Sequence, residues 1–127
     1  MPEGTRVLLV DDDPAMLRLL EVNFRLEGFA VESATRGDEA LAIAAASPPA
    51  AVLLDMMMPG MDGAEVCRRL RALPGLAQVP VVFLSARVRD DDEPEDAALG
   101  PVTHVAKPFD PQELVGLVRQ RIGGAAA

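Results

Sequence analysis

Five short apolar runs punctuate the chain, and amphipathic stretches separate them. Residues 6–10 read as a strand, 29–33 as a second and shorter one, 51–54 as a third, 80–84 as a fourth rich in Val and Phe, and 103–106 as a fifth. Residues 14–27 predict a helix with Asp13 as its N-cap, Pro14 at the first helical position and Gly28 as terminator. Leu17, Leu20 and Phe24 recur on one face of it at helical spacing. Thr35-Arg36-Gly37-Asp38 opens a second helix with a start like a capping box, and Ser47-Pro48-Pro49 closes it. A third helix runs from about Gly63 to Leu73 and stops before Pro74. Asp110-Pro111-Gln112-Glu113 starts a last helix through residues 114–122. The final Gly123-Gly124-Ala125-Ala126-Ala127 has nothing to pack, so residues 1–122 form the domain and 123–127 a flexible tail or the start of a linker.

Strands alternating with helices imply parallel pairing, right-handed crossovers and helices on both faces of the sheet. In such open sheets, ligands bind beyond the carboxyl ends of the strands. Asp11, Asp12, Asp55 and Ser85 all stand at such ends, and Lys107 follows the fifth run directly. A carboxylate at the mouth of a buried strand is costly unless charge chemistry uses it. Carboxylates converging within ~4–6 Å repel unless a cation intervenes. A hard divalent ion such as Mg²⁺, which takes carboxylate, water and phosphate oxygens, is the simple remedy. A lysine and a metal on either side of one carboxylate could clamp a transferring phosphoryl group, and the Ser85 hydroxyl could hydrogen-bond one of its oxygens. An Asp nucleophile, a bound Mg²⁺, a hydroxyl and a Lys together describe an aspartyl-phosphate site.

Composition narrows the field. A chain of 127 residues that is 50% hydrophobic and 25% charged fits one globular domain. Its net charge of −8, with no Trp or Tyr and only four Phe, weighs against nucleic-acid binding by this chain. No apolar run approaches the ~20 residues of a membrane helix, and the N-terminus lacks a signal-peptide core. Cys67 is the sole cysteine, so no intrachain disulfide forms, and a cytoplasmic location is expected.

Val7-Leu8-Leu9-Val10-Asp11-Asp12-Asp13-Pro14, Leu53-Leu54-Asp55-Met56-Met57-Met58-Pro59-Gly60-Met61-Asp62-Gly63, Phe83-Leu84-Ser85-Ala86 and Lys107-Pro108-Phe109 occur in that order. Together they resemble the receiver domain of two-component response regulators, the CheY-like family, from about residue 5 to 122. The resemblance implies an α/β fold: a doubly wound, flavodoxin-like, five-stranded parallel sheet in the order 2-1-3-4-5. It implies that Asp55 accepts a phosphoryl group from a histidine kinase or histidine phosphotransfer protein in a Mg²⁺- (or Mn²⁺-) dependent reaction. Asp12, Asp55 and the backbone carbonyl of Met57 would bind the metal, with Asp11 acting through a water. Lys107 would pair with the phosphoryl oxygens, and Ser85 would move toward them. An output surface of helix 4, strand 5 and helix 5 would then switch, toward an output domain, a partner protein or a second copy. Such a domain catalyses only its own phosphorylation and slow dephosphorylation, and is not an enzyme in the turnover sense.

The chain departs from the family pattern at several positions. His104, the only histidine, stands three positions before Lys107, where an aromatic residue is usual. Packing in place of Tyr or Phe is the favoured reading over a pH-sensitive switch. Residues 89–96 are strongly acidic and contain Pro94 where the fourth helix is expected; a short late-starting helix and a solvated acidic loop both stand. Pro101 and Val102 replace the usual small and acidic residues. Met57 and Arg87, two beyond Asp55 and Ser85, border the attacking water's path in the family. Their bulk implies slow dephosphorylation. Met56-Met57-Met58 is read as strand-end packing, Cys67 as a small buried hydrophobe, and Asp13 and Asp62 as helix caps. The rival readings are three. A pseudo-receiver, a constitutive protein-interaction module, is opposed by the intact Asp12, Asp55, Ser85 and Lys107. An Asp-nucleophile phosphatase wants a second Asp where Met57 stands. A flavodoxin-like cofactor binder lacks a phosphate-cradling loop after the first strand.

Overall fold

The computed structural model describes residues 4–86 and 97–126. Strands β1 (Arg6–Val10), β2 (Ala30–Ala34), β3 (Ala51–Asp55), β4 (Val81–Ser85) and β5 (Val102–Ala106) form one sheet in the order β2-β1-β3-β4-β5. Every neighbouring pair is parallel, so the expected doubly wound sheet is present. Helices α1 (Pro14–Leu26), α2 (Gly37–Ala46), α3 (Gly63–Arg71) and α4 (Pro111–Ala126) are described, with a 3-10 turn at Ala97–Leu99.

Alternation along the strands divides the core into two layers. Leu8, Val10, Val52, Leu54, Val81 and Phe83 face one way, onto Ala40 and Ala44 of α2 and Val66, Cys67 and Leu70 of α3. Val7, Leu9, Ala51, Leu53, Val82 and Leu84 face the other, onto Leu17, Leu20 and Phe24 of α1 and Leu114, Val115 and Val118 of α4. Each fully buried Leu or Phe contributes about 1.5–3 kcal/mol, so the two layers hold the strands against the entropy of the chain. The three residues expected on the inner face of α1 are the three it buries.

Element ends differ from the sequence reading by small steps with local causes. Phe29 belongs to the turn before β2 rather than to the strand. Its N–H donates to the Phe24 carbonyl at 3.1 Å, and the two rings meet edge to face at 5.2 Å. β3 and β4 each run one residue further, through Asp55 and Ser85, because parallel pairing continues to Asp55–Leu84 and Ser85–Ala106. α3 ends at Arg71, where Leu73 turns back to the Leu70 carbonyl ahead of Pro74. α4 continues to Ala126, past the end expected at Ile122. Each glycine there costs only about 1 kcal/mol of helix propensity and removes no backbone donor. The fourth helix expected around Pro94, together with Arg87, falls outside the described residues.

Arg71 closes the amino-terminal end of the sheet. Its guanidinium donates to the carbonyls of Leu76, Val79, Leu99 and Pro101, tying α3 to the chain entering β4 and β5. Burial draws its pKa below the ordinary value, opposed by the neighbouring Cys67. At Gly100, with φ 66°, an added Cβ would lie 2.7 Å from Arg71 Nε.

At the opposite end Gly63 brings α3 against β3. A Cβ there would sit 2.7 Å from the Asp55 carbonyl oxygen and 2.9 Å from Met56 Cα, both backbone atoms that cannot step aside. Gly63→Ala is therefore expected to cost about 1–3 kcal/mol, as overpacking does. The check is urea denaturation, with a lower midpoint at unchanged slope; an unaltered midpoint would refute the close-approach argument.

Candidate functional site

Strand order reverses between β1 and β3, and the chain leaves a crevice at their carboxyl ends. Asp11 follows β1 and Asp55 ends β3, so the two acids flank that crevice. Asp11 is fully buried and Asp55 nearly so, at 5% exposure. One carboxylate oxygen of each of Asp11, Asp12 and Asp55 lies within 4.8 Å of the others. Among the described residues this is the acidic group close enough to hold a metal ion, and His104 has no part in it.

The turns after the strands supply partial compensation. Asp13 N–H donates to Asp11 Oδ1 at 2.9 Å, while the Asp13 carboxylate caps α1 by accepting from Ala15 N–H at 3.0 Å. Met57 N–H donates to Asp55 Oδ1 at 3.2 Å. Asp62 caps α3 by accepting from Glu65 N–H at 2.9 Å. Both expected caps are thus in place.

Lys107 completes the cluster. Its N–H donates to the Ser85 carbonyl at 2.7 Å, which sets Ser85 and Lys107 side by side where β4 and β5 end. Its ammonium lies 3.5 Å from Asp55 Oδ1 and 3.6 Å from Asp11 Oδ2, bridging the two buried carboxylates. The distance to Asp11 is too long for a hydrogen bond, and Asp11 Oδ2 has no hydrogen-bond partner although it is buried.

One ammonium does not neutralise this group. Burial raises the Asp55 carboxyl above its ordinary value of 3.8, and the charge of Asp11 and a hydrogen bond with Asp12 push the same way. The Met57 N–H and the Lys107 charge oppose the shift without cancelling it. A buried oxygen without a hydrogen bond, beside a carboxyl resisting ionisation, forms a donor set that a cation would satisfy. Three carboxylates offer only hard oxygen donors, and they fit an ion of the Mg²⁺ class.

The other residues singled out from the sequence fall as follows. His104 lies in the middle of β5, and its ring stands 5.2 Å from that of Phe83 with a 34° tilt, the geometry of an aromatic packing partner. Cys67 is buried in the α3 layer, where its thiol donates to the Leu99 carbonyl at 3.4 Å. Met58 is buried and Met56 packs partly against the core, as strand-end packing requires. Met57 departs from that reading, because its side chain is turned outward by the tight turn into α3 and is 75% exposed. The close approach at Gly63 lies beyond sequence reasoning, which places this glycine only in a turn; no local signal marks a contact with backbone eight residues back.

Comparison with known proteins bears directly on this arrangement. A family model described as the response regulator receiver domain matches residues 7–119. The DNA-binding response regulator MtrA of Mycolicibacterium smegmatis is 43% identical over 117 residues, 92% of this chain and 50% of that protein. The phosphate regulon transcriptional regulatory protein PhoB of Rhizobium meliloti is 37% identical over 114 residues, again 50% of its length. The chain thus spans about half the length of the curated relatives it matches. The receiver domain of a Pseudomonas aeruginosa sensor histidine kinase, whose active-site cleft coordinates a magnesium ion, is 30% identical with a TM-score of 0.83. The match covers 94% of this chain and 98% of that one. The chemotaxis protein CheY4 of Vibrio cholerae is 28% identical with a TM-score of 0.85, over 91% of this chain and 97% of its own.

The strained carboxyl has a measurable consequence. Because folding raises the Asp55 pKa, the folded protein binds more protons than the unfolded chain between the two values, and stability falls as pH rises through that window. At neutral pH, Asp55 ionised without a metal therefore weakens the fold. Thermal melting in chelator is expected to give Asp55→Asn a higher Tm than the unaltered protein at pH 7. The gap should narrow as the pH is lowered toward 4. A lower Tm for the variant at pH 7 would contradict the burial argument.

Proposed function

This chain belongs to the response regulator receiver domain family, and on that premise we propose that it accepts a phosphoryl group on Asp55 and relays that event to an output surface. The observation that carries the reading is the convergence of Asp11, Asp12 and Asp55 under a single bridging Lys107. The donor is a histidine kinase or histidine phosphotransfer protein. An Asp55 oxygen attacks phosphorus while the phosphorus–nitrogen bond of the donor breaks, and the imidazole leaves with its electron pair and takes up a proton.

Asp11, Asp12, Asp55 and the Met57 carbonyl would hold Mg²⁺ or Mn²⁺, with Asp11 acting through a water. When bound, the ion would offset the charge of the phosphoryl oxygens and align them for transfer. Lys107 gives up its bridge between the carboxylates and pairs with a phosphoryl oxygen by a charge-assisted bond. Ser85, beside Lys107 at the strand ends, donates its hydroxyl to another oxygen. These bonds stabilise the phosphorylated arrangement, and His104, on the strand that leads to Lys107, repacks against Phe83. The face containing β5 and α4 then changes shape. The apolar Met57 side chain, carried two positions beyond Asp55, slows hydrolysis of the acyl phosphate. On this reading the chain is no turnover enzyme.

The output belongs to a further domain, to a partner protein or to a second copy. The DNA-binding response regulator MtrA and the transcriptional regulatory protein PhoB are about twice as long as this chain. An excess of acidic over basic residues supports contact with DNA through another region rather than through this one. No described helix is long and apolar enough to cross a membrane, and we place the domain in the cytoplasm.

Intact-protein mass spectrometry after incubation with acetyl phosphate and Mg²⁺ tests the reading. One added phosphoryl group is expected, outlasting seconds once donor is removed. It should be absent in Asp55→Asn and absent in chelator. Metal binding without any adduct, from either acetyl phosphate or a phosphorylated histidine donor, would leave only an interaction module.

A further inference from the structure

Four methionines, Met56, Met57, Met58 and Met61, occupy the short turn between β3 and α3. Met58 is buried at 8% exposure, and Met56 and Met61 are partly buried against the core. Met57 alone of these stands out in solvent, at 75%. Met16, on α1, is partly buried against the opposite layer. Among the described methionines, a solution oxidant therefore meets the Met57 thioether first. That sulfur sits on a residue whose own N–H holds Asp55 Oδ1 at 3.2 Å.

We propose that Met57 is an oxidation site, and that converting its thioether to the sulfoxide shortens the life of the phosphoryl group on Asp55. The proposal rests on Asp55 being the phosphoacceptor. The oxidant is a peroxide: the sulfur lone pair attacks one peroxide oxygen, the O–O bond breaks and sulfur is oxidised by two electrons. The other oxygen leaves as water, carrying the proton lost by the oxygen transferred. Methionine sulfoxide is reducible, so the change can be reversed.

The chemical difference lies in the hydrogen bonding of the side chain. A thioether is apolar and a weak acceptor, and it keeps water from settling where it lies. A sulfoxide presents a strong acceptor oxygen on the same flexible stem. Tethered to the residue that touches the acceptor carboxylate, it holds a water beside the acyl phosphate, and water is the nucleophile that hydrolyses it. One such hydrogen bond corresponds to a roughly two- to tenfold faster loss of phosphate. The domain would then answer both a phosphodonor and the oxidant level around it.

The test treats the purified protein with hydrogen peroxide and maps oxidation by peptide mass. Met57 sulfoxide is expected to form ahead of sulfoxide at Met16, Met56, Met58 and Met61. Treated and untreated protein are then phosphorylated with acetyl phosphate and Mg²⁺, the donor is removed, and the mass adduct is followed with time. The oxidised protein should lose it about two- to tenfold faster. Met57→Leu keeps an apolar side chain of similar volume without the sulfur, so peroxide should leave its own rate of loss unaltered. Preferential oxidation at Met16, Met56, Met58 or Met61, or a normal adduct whose lifetime peroxide does not change, overturns this proposal alone. Acceleration that persists in Met57→Leu does the same. Failure of untreated protein to take up any phosphoryl group overturns both this proposal and the acceptor role of Asp55.

Discussion

Asp11 and Asp55 are withdrawn from water at the carboxyl edge of the sheet, where ionised oxygens must be matched by partners or resist ionisation. The partners present are one N–H from Asp13, one from Met57 and the shared ammonium of Lys107. Each is delivered by the turn that follows a strand: after β1, after β3 and after β5. The shape of those turns follows from the same requirement. Asp13 must leave its N–H facing Asp11 while its own carboxylate starts α1. Gly63 must let α3 begin almost in contact with the β3 backbone. The shortfall that remains, an oxygen of Asp11 without a hydrogen bond and a carboxyl of Asp55 with a raised pKa, is what marks this edge as the candidate site.

The rest of the fold fixes where that edge lies. Parallel strands covered on both faces cannot slide by one residue without exchanging the side chains of two apolar layers. Register therefore protects the site as well as the core. Pairing of Val10 with Leu54 aligns the ends of β1 and β3, so the acids that follow meet each other instead of standing one level apart. Placing β4 and β5 on the far side of β3 brings Ser85 and Lys107 up to the same edge. Residues from four separate stretches of the chain meet because strand order and register bring those strand ends to one edge.

Much of this is legible in the order of the amino acids. The inner strands β1, β3 and β4, buried on both faces, show as unbroken apolar runs, while the edge strands β2 and β5 carry polar positions among fewer apolar ones, and all five can be placed within a residue or so of their ends. Residues just after such runs must gather at one edge, so Asp11, Asp12, Asp55, Ser85 and Lys107 are legible together. Helix starts carry their own local chemistry at Asp13, Asp62 and Asp110, each confirmed by a side-chain bond to the first turn. What escapes depends on contacts between distant segments. The outward turn of Met57 within a methionine run has no signature in residue type. Gly63 resembles any turn glycine until β3 is set beside it. Arg71 reads as one more charged residue on a solvated helix face, because nothing local announces four carbonyls converging from two other loops.

Arg71 and the acidic crevice sit at opposite ends of the same sheet, and they constrain the chain in opposite ways. The crevice depends on particular side chains. Arg71 takes hold of four main-chain carbonyls, at Leu76, Val79, Leu99 and Pro101, and carbonyl oxygens are common to every residue type. Side-chain chemistry at those four places is thus open to substitution as far as the guanidinium is concerned, and only Gly100 is restricted in kind. Loop length is another matter: adding or removing a residue between α3 and β4 would carry two of the carbonyls out of reach. One end of the molecule is spelled in amino acids, the other in the path of the backbone.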